Sequence, residues 1–206
     1  VDIAVLLSGS GSTMQALLDA QARGELGGAR VTLVVVDRAD AYGLQRALGA
    51  GIAAAYVPLR NGRDAAERAA WEARLGDVVA AFAPDLLLLS GFMRVLSAGF
   101  LARFPGRVIN QHPALLPDGG GDSVVTSGGV AIPALRGAHV VADAVRLGLP
   151  VTGCTIHYVT PAVDDGPILA RAEVPVCPGE DAPALHERIK EAERRLVVRV
   201  VRDLAG

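Results

Sequence analysis

Short apolar runs alternate with longer amphipathic stretches through the first half of the chain. Ile3–Leu7, Val31–Val36 and Asp85–Ser90 are apolar almost throughout, the pattern of strands buried on both faces. Ala53–Val57 and Arg107–His112 predict two more strands. Between them, Met14–Ala22, Ala41–Ala50, Arg63–Phe82 and Ser97–Arg103 predict helices. Such alternation predicts an α/β architecture, a doubly wound and mostly parallel sheet. Later, Arg136–Leu147 predicts a helix, and Val151–Tyr158 and Ile168–Val174 predict strands. No full crossover helix separates these two, so they are expected as antiparallel additions in the C-terminal half. Asp181–Leu204 predicts a long amphipathic helix with Leu185, Ile189, Leu196, Val197 and Val200 as its apolar stripe. No repeat or linker divides the chain, which reads as one domain over residues 1–206.

Residues 118–131 break the pattern. Five of the fourteen are glycine, and large apolar side chains are few. This composition predicts a loop insertion, mobile at its glycines, that buries little surface. Shortening it is expected to leave stability within about 1 kcal/mol. It is also expected to sharpen the preorganisation of the neighbouring strand, and so to raise activity.

Composition narrows the function classes. The net charge is −2, so no basic field attracts nucleic acid or an anionic membrane. No apolar run reaches membrane-spanning length, and Val1–Leu7 reads as a strand rather than a signal peptide. The two cysteines, Cys154 and Cys177, form no paired motif and read as thiols of a reducing, cytoplasmic setting. Lys190 is the only lysine among 20 basic residues.

Three stretches carry candidate chemistry. Ser8-Gly9-Ser10-Gly11-Ser12-Thr13 lies between a strand and a helix. It suits a small phosphate held on helix N-terminal N–H groups, or a plain turn capped by Ser or Thr. The third glycine of a dinucleotide fingerprint is replaced by Met14. Asp37–Asp40 reads as a loop capping the next helix. Gly91-Phe92-Met93-Arg94 follows the most apolar strand, where Phe92 and Met93 either wall a ligand or close the core. In Val108–Pro117, Asn110 and His112 share one strand face, and Pro113 ends regular pairing. With Asp164 they form a group that can bind a carbonyl, carry a proton and orient an imidazole. No nucleophilic Ser or Cys accompanies them and no second His stands at metal-ligand spacing. His139, His157 and His186 read as structural. The set suits direct transfer of an activated group to an amine, without metal.

These motifs resemble the phosphoribosylglycinamide formyltransferases of the folate-dependent formyltransferase superfamily. The likeness rests on Ser8–Ser12, Ala39–Leu44, Gly91–Arg94, Ile109–Pro117, Thr155–His157, Asp164–Pro167 and Ile189–Glu193. It covers nearly the whole chain apart from the insertion, where relatives pass through a short loop. It implies a Rossmann-like formyltransferase fold, with a phosphate-binding half (1–104) and a catalytic and folate-binding half (105–206). It implies transfer of the formyl group of 10-formyltetrahydrofolate to the amine of phosphoribosylglycinamide in purine synthesis.

By position, Asn110, His112 and Asp164 would be catalytic, with His112 protonated and kept so by Asp164. Gly11, Ser12, Thr13, Lys190 and Glu193 would hold the substrate phosphate and ribose. Arg68, Met93, Arg94, Val95, Leu96 and Asn110 would line the folate site. The partners implied are these two small molecules, with the chain a monomer or homodimer. The alternatives are formyltetrahydrofolate hydrolase, another formyltransferase of the superfamily, or a folate- or nucleotide-binding module silenced by the insertion. The hydrolase normally carries an N-terminal regulatory domain, whereas this chain begins at the first strand.

Overall fold

A computed structural model describes residues 1–206. The first half runs β1 (Asp2–Leu7), α1 (Ser12–Ala22), β2 (Arg30–Val36), α2 (Tyr42–Gly49), β3 (Ala53–Tyr56), α3 (Ala65–Ala81), β4 (Leu86–Leu89) and α4 (Ala98–Arg103). The second runs β5 (Val108–His112), β6 (Ser123–Val125), β7 (Ala131–Pro133), α5 (Val140–Arg146), β8 (Val151–Tyr158), β9 (Ile168–Pro175) and α6 (Ala182–Ala205). Seven strands form one sheet in the order β3-β2-β1-β4-β5-β8-β9. The first five are parallel; β8 runs antiparallel to β5, and β9 antiparallel to β8. The predicted architecture, including the late antiparallel pair, is the observed one.

Strand alternation sends side chains to two cores. Ile3, Val5 and Leu7 meet α1, α5 and α6 on one face. Ala4 and Leu6 meet Trp71, Leu75 and Val79 of α3 and Phe100 of α4 on the other. Trp71 is fully buried, donates its indole N–H to the Val57 carbonyl at 2.9 Å and stacks on Phe92. Phe92 therefore closes the core, whereas Met93 is 64% exposed. On α6 the predicted apolar stripe is buried, and Asp181 caps the helix through the Ala184 N–H.

Two local expectations need correction. Asp37–Asp40 does not cap α2, whose N-cap is Ala41 with no side-chain bond. Instead Arg38 pairs with Asp40, and the buried Asp37 accepts from Arg94 Nε at 2.6 Å. The larger correction concerns the insertion. Residues 118–131 are not a structureless loop: β6 and β7 pair as an antiparallel hairpin, Val124 opposite Ile132. Those two side chains are buried against Leu115, three residues beyond the end of β5. At the tip, Ser127 donates through N–H and Oγ to the two carboxylate oxygens of Glu173 on β9, at 2.6 and 2.7 Å. Arg171 of β9 donates to the Leu116 carbonyl and pairs with Asp118 at 2.9 Å. The hairpin is thus docked at both ends. The predicted helix from Arg136 also begins later, at Val140, because Leu135–Gly137 serve the site described next.

Candidate active site

The C-terminal ends of β1, β4 and β5 open into one cleft of about 460 Å³. This is the lip at which open α/β sheets bind ligands, beside the point where strand order reverses. Gly11, Ser12 and Thr13 form its wall after β1. Gly11 is the N-cap of α1 with φ +68, and no side chain caps the helix. The first N–H groups of α1 therefore remain available, and the capped-turn reading is set aside. Met93, Arg94, Val95 and Leu96 line the cleft after β4, Met93 N donating to Ser8 Oγ at 2.9 Å. Arg68 is the one predicted residue outside the lining. It reaches the site from α3 by donating to the Val95 carbonyl.

Lys190 and Glu193 face the cleft from α6. Lys190 Nζ pairs with Glu187 at 2.8 Å, one turn away and 70% exposed. Glu193 is buried, and burial pushes its carboxyl up to about 7, although Gln111, Lys190 and Arg194 pull it down. The folded chain then binds a proton there that the unfolded chain releases near 4.5. Stability should consequently fall as pH rises from about 4.5 to about 7, by on the order of 3 kcal/mol for this group. Urea unfolding of wild type and Glu193→Gln at several pH values checks this. The variant should lose the downward slope; parallel curves would show that Glu193 does not titrate there.

Asn110, His112 and Asp164 come together as expected. Asn110 lies opposite His157 in the β5–β8 register. Its Nδ2 is 3.2 Å from His157 Nε2, and His157 Nδ1 is 2.9 Å from the Tyr158 carbonyl. The carbonyl requires the proton on Nδ1, which makes Nε2 the acceptor of one Asn110 amide proton. The other amide proton faces Asp164 Oδ1 at 3.5 Å, the limit of hydrogen bonding. His157, read as structural from the sequence, thus fixes the Asn110 amide; only the antiparallel register reveals it.

His112 Nε2 is 2.8 Å from the Leu135 carbonyl, and Nδ1 is 3.4 Å from Asp164 Oδ2. Burial pushes the imidazole below its ordinary value; Asp164 and the Leu135 carbonyl only partly restore it. The expectation of a charged His112 is therefore corrected: the side chain is 4% exposed, and desolvation outweighs the carboxylate. In the neutral ring the Leu135 carbonyl assigns the proton to Nε2. Nδ1 then presents a lone pair toward Asp164 Oδ2. Burial raises the Asp164 carboxyl, but the donors around it, the Gly137 N–H at 3.0 Å among them, hold it below the usual range. Cys154 is no competing nucleophile, because burial pushes its thiol up to about 12.

Comparison with known proteins agrees with this geometry. The family profile described as "Formyl transferase" matches residues 1–201. A phosphoribosylglycinamide formyltransferase of Mycobacterium tuberculosis is 45% identical over 98% of this chain and 84% of its own. The Escherichia coli phosphoribosylglycinamide formyltransferase is 33% identical over 98% of this chain and 85% of its own. The crystal structure of glycinamide ribonucleotide transformylase 1 from Symbiobacterium toebii superposes with a TM-score of 0.86 at 38% identity, covering 100% of this chain and 87% of that one. A cleft built from these strand ends, on this fold and with this likeness over the whole length, places the chain in the formyl transferase family, among the phosphoribosylglycinamide formyltransferases.

Proposed function

We propose that Asn110, His112 and Asp164 carry out the family reaction, formyl transfer from 10-formyltetrahydrofolate to the amine of phosphoribosylglycinamide. The observation that carries this reading is their convergence in the same cleft as the uncapped N-terminus of α1. The substrate phosphate would rest on the N–H groups of Gly11, Ser12 and Thr13. Lys190 and Glu193 would close over the phosphate and ribose. Met93–Leu96, with Arg68 and Arg94, would face the folate across the cleft.

The uncharged amine attacks the formyl carbon, and the carbonyl oxygen takes the electron pair. Neutral His112 accepts the amine proton at Nδ1. The resulting imidazolium faces both the oxyanion and Asp164, whose negative charge favours it. The Asn110 amide proton that faces Asp164 Oδ1 at 3.5 Å, the weaker of its two contacts, turns to the same oxyanion, the kind of electrostatic contribution that dominates such reactions. Collapse of the tetrahedral centre breaks the bond to N10, and the proton from His112 leaves with N10. Both reactants in one cleft supply proximity.

The hairpin leaves these groups in contact, which supports an active enzyme over a silenced module. One chain supplies the whole cleft, so the reading suits a monomer or a homodimer. No helix is long and apolar enough to cross a membrane. We place the reaction in the cytoplasm, in keeping with two cysteines that form no disulfide.

The test is a formyl-transfer assay with both substrates on wild type and Lys190→Ala. Glu187 is exposed and water screens its pair with the half-buried Lys190, so the ammonium can leave it for a phosphate at little cost. Lys190→Ala should raise KM for the phosphorylated substrate about tenfold, as loss of a charge-assisted contact does. KM for the folate should change little. Formate released to water instead of transferred would favour the hydrolase; equal changes in both KM values would remove Lys190 from the phosphate site.

A further inference from the structure

Leu135, Arg136 and Gly137, just past the hairpin, touch both members of the His112–Asp164 pair. The Leu135 carbonyl accepts from His112 Nε2 at 2.8 Å. The Gly137 N–H donates to Asp164 Oδ2 at 3.0 Å. Between them, Arg136 Nε donates to the backbone carbonyl of Asp164 at 3.2 Å. The same guanidinium reaches back to the hairpin, where Nη2 donates to the Gly121 carbonyl at 2.7 Å. It also lies 3.6 Å from Asp165 Oδ1. The glycine turn packs on the same loop: a Cβ on Gly120 would stand 3.0 Å from Asp165 Oδ1.

Asp164 needs such support. Its φ is +51, in the left-handed region. A side-chain-bearing residue there is strained, and it stays only where its surroundings hold it. The carboxylate follows the backbone. If φ relaxed, its oxygens would leave their positions 3.4 Å from His112 and 3.5 Å from Asn110.

We propose that Arg136 is a positioning residue for Asp164, anchored on the hairpin through the Gly121 carbonyl, so that the insertion supports the active site. The inference rests on the assignment of Asp164 to the reaction given above. An arginine suits the task because two separate nitrogens of its planar fork, Nε and Nη2, reach two carbonyls in fixed directions, whereas a lysine gathers its three donors on one nitrogen. It also reverses the expectation from sequence: shortening the hairpin should lower activity.

The experiment uses the full chain, with Arg136→Ala, Arg136→Lys, a variant whose residues 119–132 are replaced by a short turn, and the double variant of turn and Arg136→Ala. Arg136→Ala should lower kcat roughly tenfold, within the range expected for misplacement of a reacting group. Both KM values should stay within about twofold, and Arg136→Lys should not restore kcat. The double variant should lose little more than the worse single variant, because both act through one contact chain. Unchanged kcat, full rescue by lysine, or losses that multiply would each overturn the proposal. Hydrogen exchange reads the same clamp without turnover. Amides of residues 160–167 should exchange faster in Arg136→Ala, and unchanged exchange overturns the clamp whatever the activity. Wild-type protein that transfers no formyl group, with exchange responding as expected, would overturn the assignment of Asp164 to the reaction and leave the clamp standing.

Discussion

His112→Ala should lower kcat by at least about 100-fold, the scale on which losing a group that stabilises a developing oxyanion acts. Both KM values should change far less, because the ring acts on charge that appears only in the transition state. Asp164→Asn keeps the size and removes the charge, and should cost a similar factor. The double variant should be little worse than either single one, since the two act as one unit. Asn110→Ala should fall in the same range, because the amide proton not bonded to His157 is the oxyanion donor. None of these should unfold the protein: His112→Ala leaves the Leu135 carbonyl without its donor, a cost of about 1–3 kcal/mol. The pH profile carries the sign. His112 works as a base and its value is pushed below 6.5. The turnover number kcat should keep an acid limb below pH 6.5, since the protonated ring cannot take the amine proton; kcat/KM also carries the titration of the substrate's own amine, at about pH 8 for an α-amino group. Steady-state kinetics from pH 5 to 8 on wild type and His112→Ala separate the two. Near-wild-type turnover in His112→Ala, or a low-pH limb of kcat that persists unchanged in that variant, would end the mechanism.

Much of this site is legible in the sequence. The strand carrying Asn110 and His112, the glycine turn after β1 and the apolar stripe of α6 are local patterns, and local patterns survive folding. What escaped is long-range or very short. The hairpin strands have three residues each, and only Val124 and Ile132 face inward. Two buried positions set among glycines make no periodicity, so turn composition outweighed them. His157 meets Asn110 only through the antiparallel register of β8, which nothing near either residue encodes. The pairing of Asp37 with Arg94 joins residues 57 positions apart, and no spacing announces it. The charge on His112 departs from expectation for a different reason: a carboxylate partner shows in the sequence, whereas the burial that outweighs it does not.

Gly11→Ala should be the most damaging change on the opposite wall of the cleft. Gly11 has φ +68, which costs a residue with a Cβ roughly 1–2 kcal/mol. Its Cβ would also stand 2.8 Å from the Gly43 Cα. That neighbour is backbone and cannot swing away, because the Gly43 N–H is itself bonded to the Gly9 carbonyl at 3.1 Å. The strain must move the start of α1. The rest of the helix should stay in place, since Met14, Leu17 and Leu18 are buried in the core. The N–H groups offered to the phosphate would then be misaimed. Charge-assisted hydrogen bonds are worth about 1.5–3 kcal/mol each, so losing two should cost roughly 100-fold or more in kcat/KM for the phosphorylated substrate. KM for the folate, which the proposal seats along Met93–Leu96, should change little. Gly9→Ala provides the control for stability, because its Cβ would meet nothing within 4 Å. Titration calorimetry with phosphoribosylglycinamide separates binding from chemistry. If Gly11→Ala binds that substrate as tightly as wild type while its melting temperature has fallen, the strain is real and the phosphate lies elsewhere than at the N-terminus of α1.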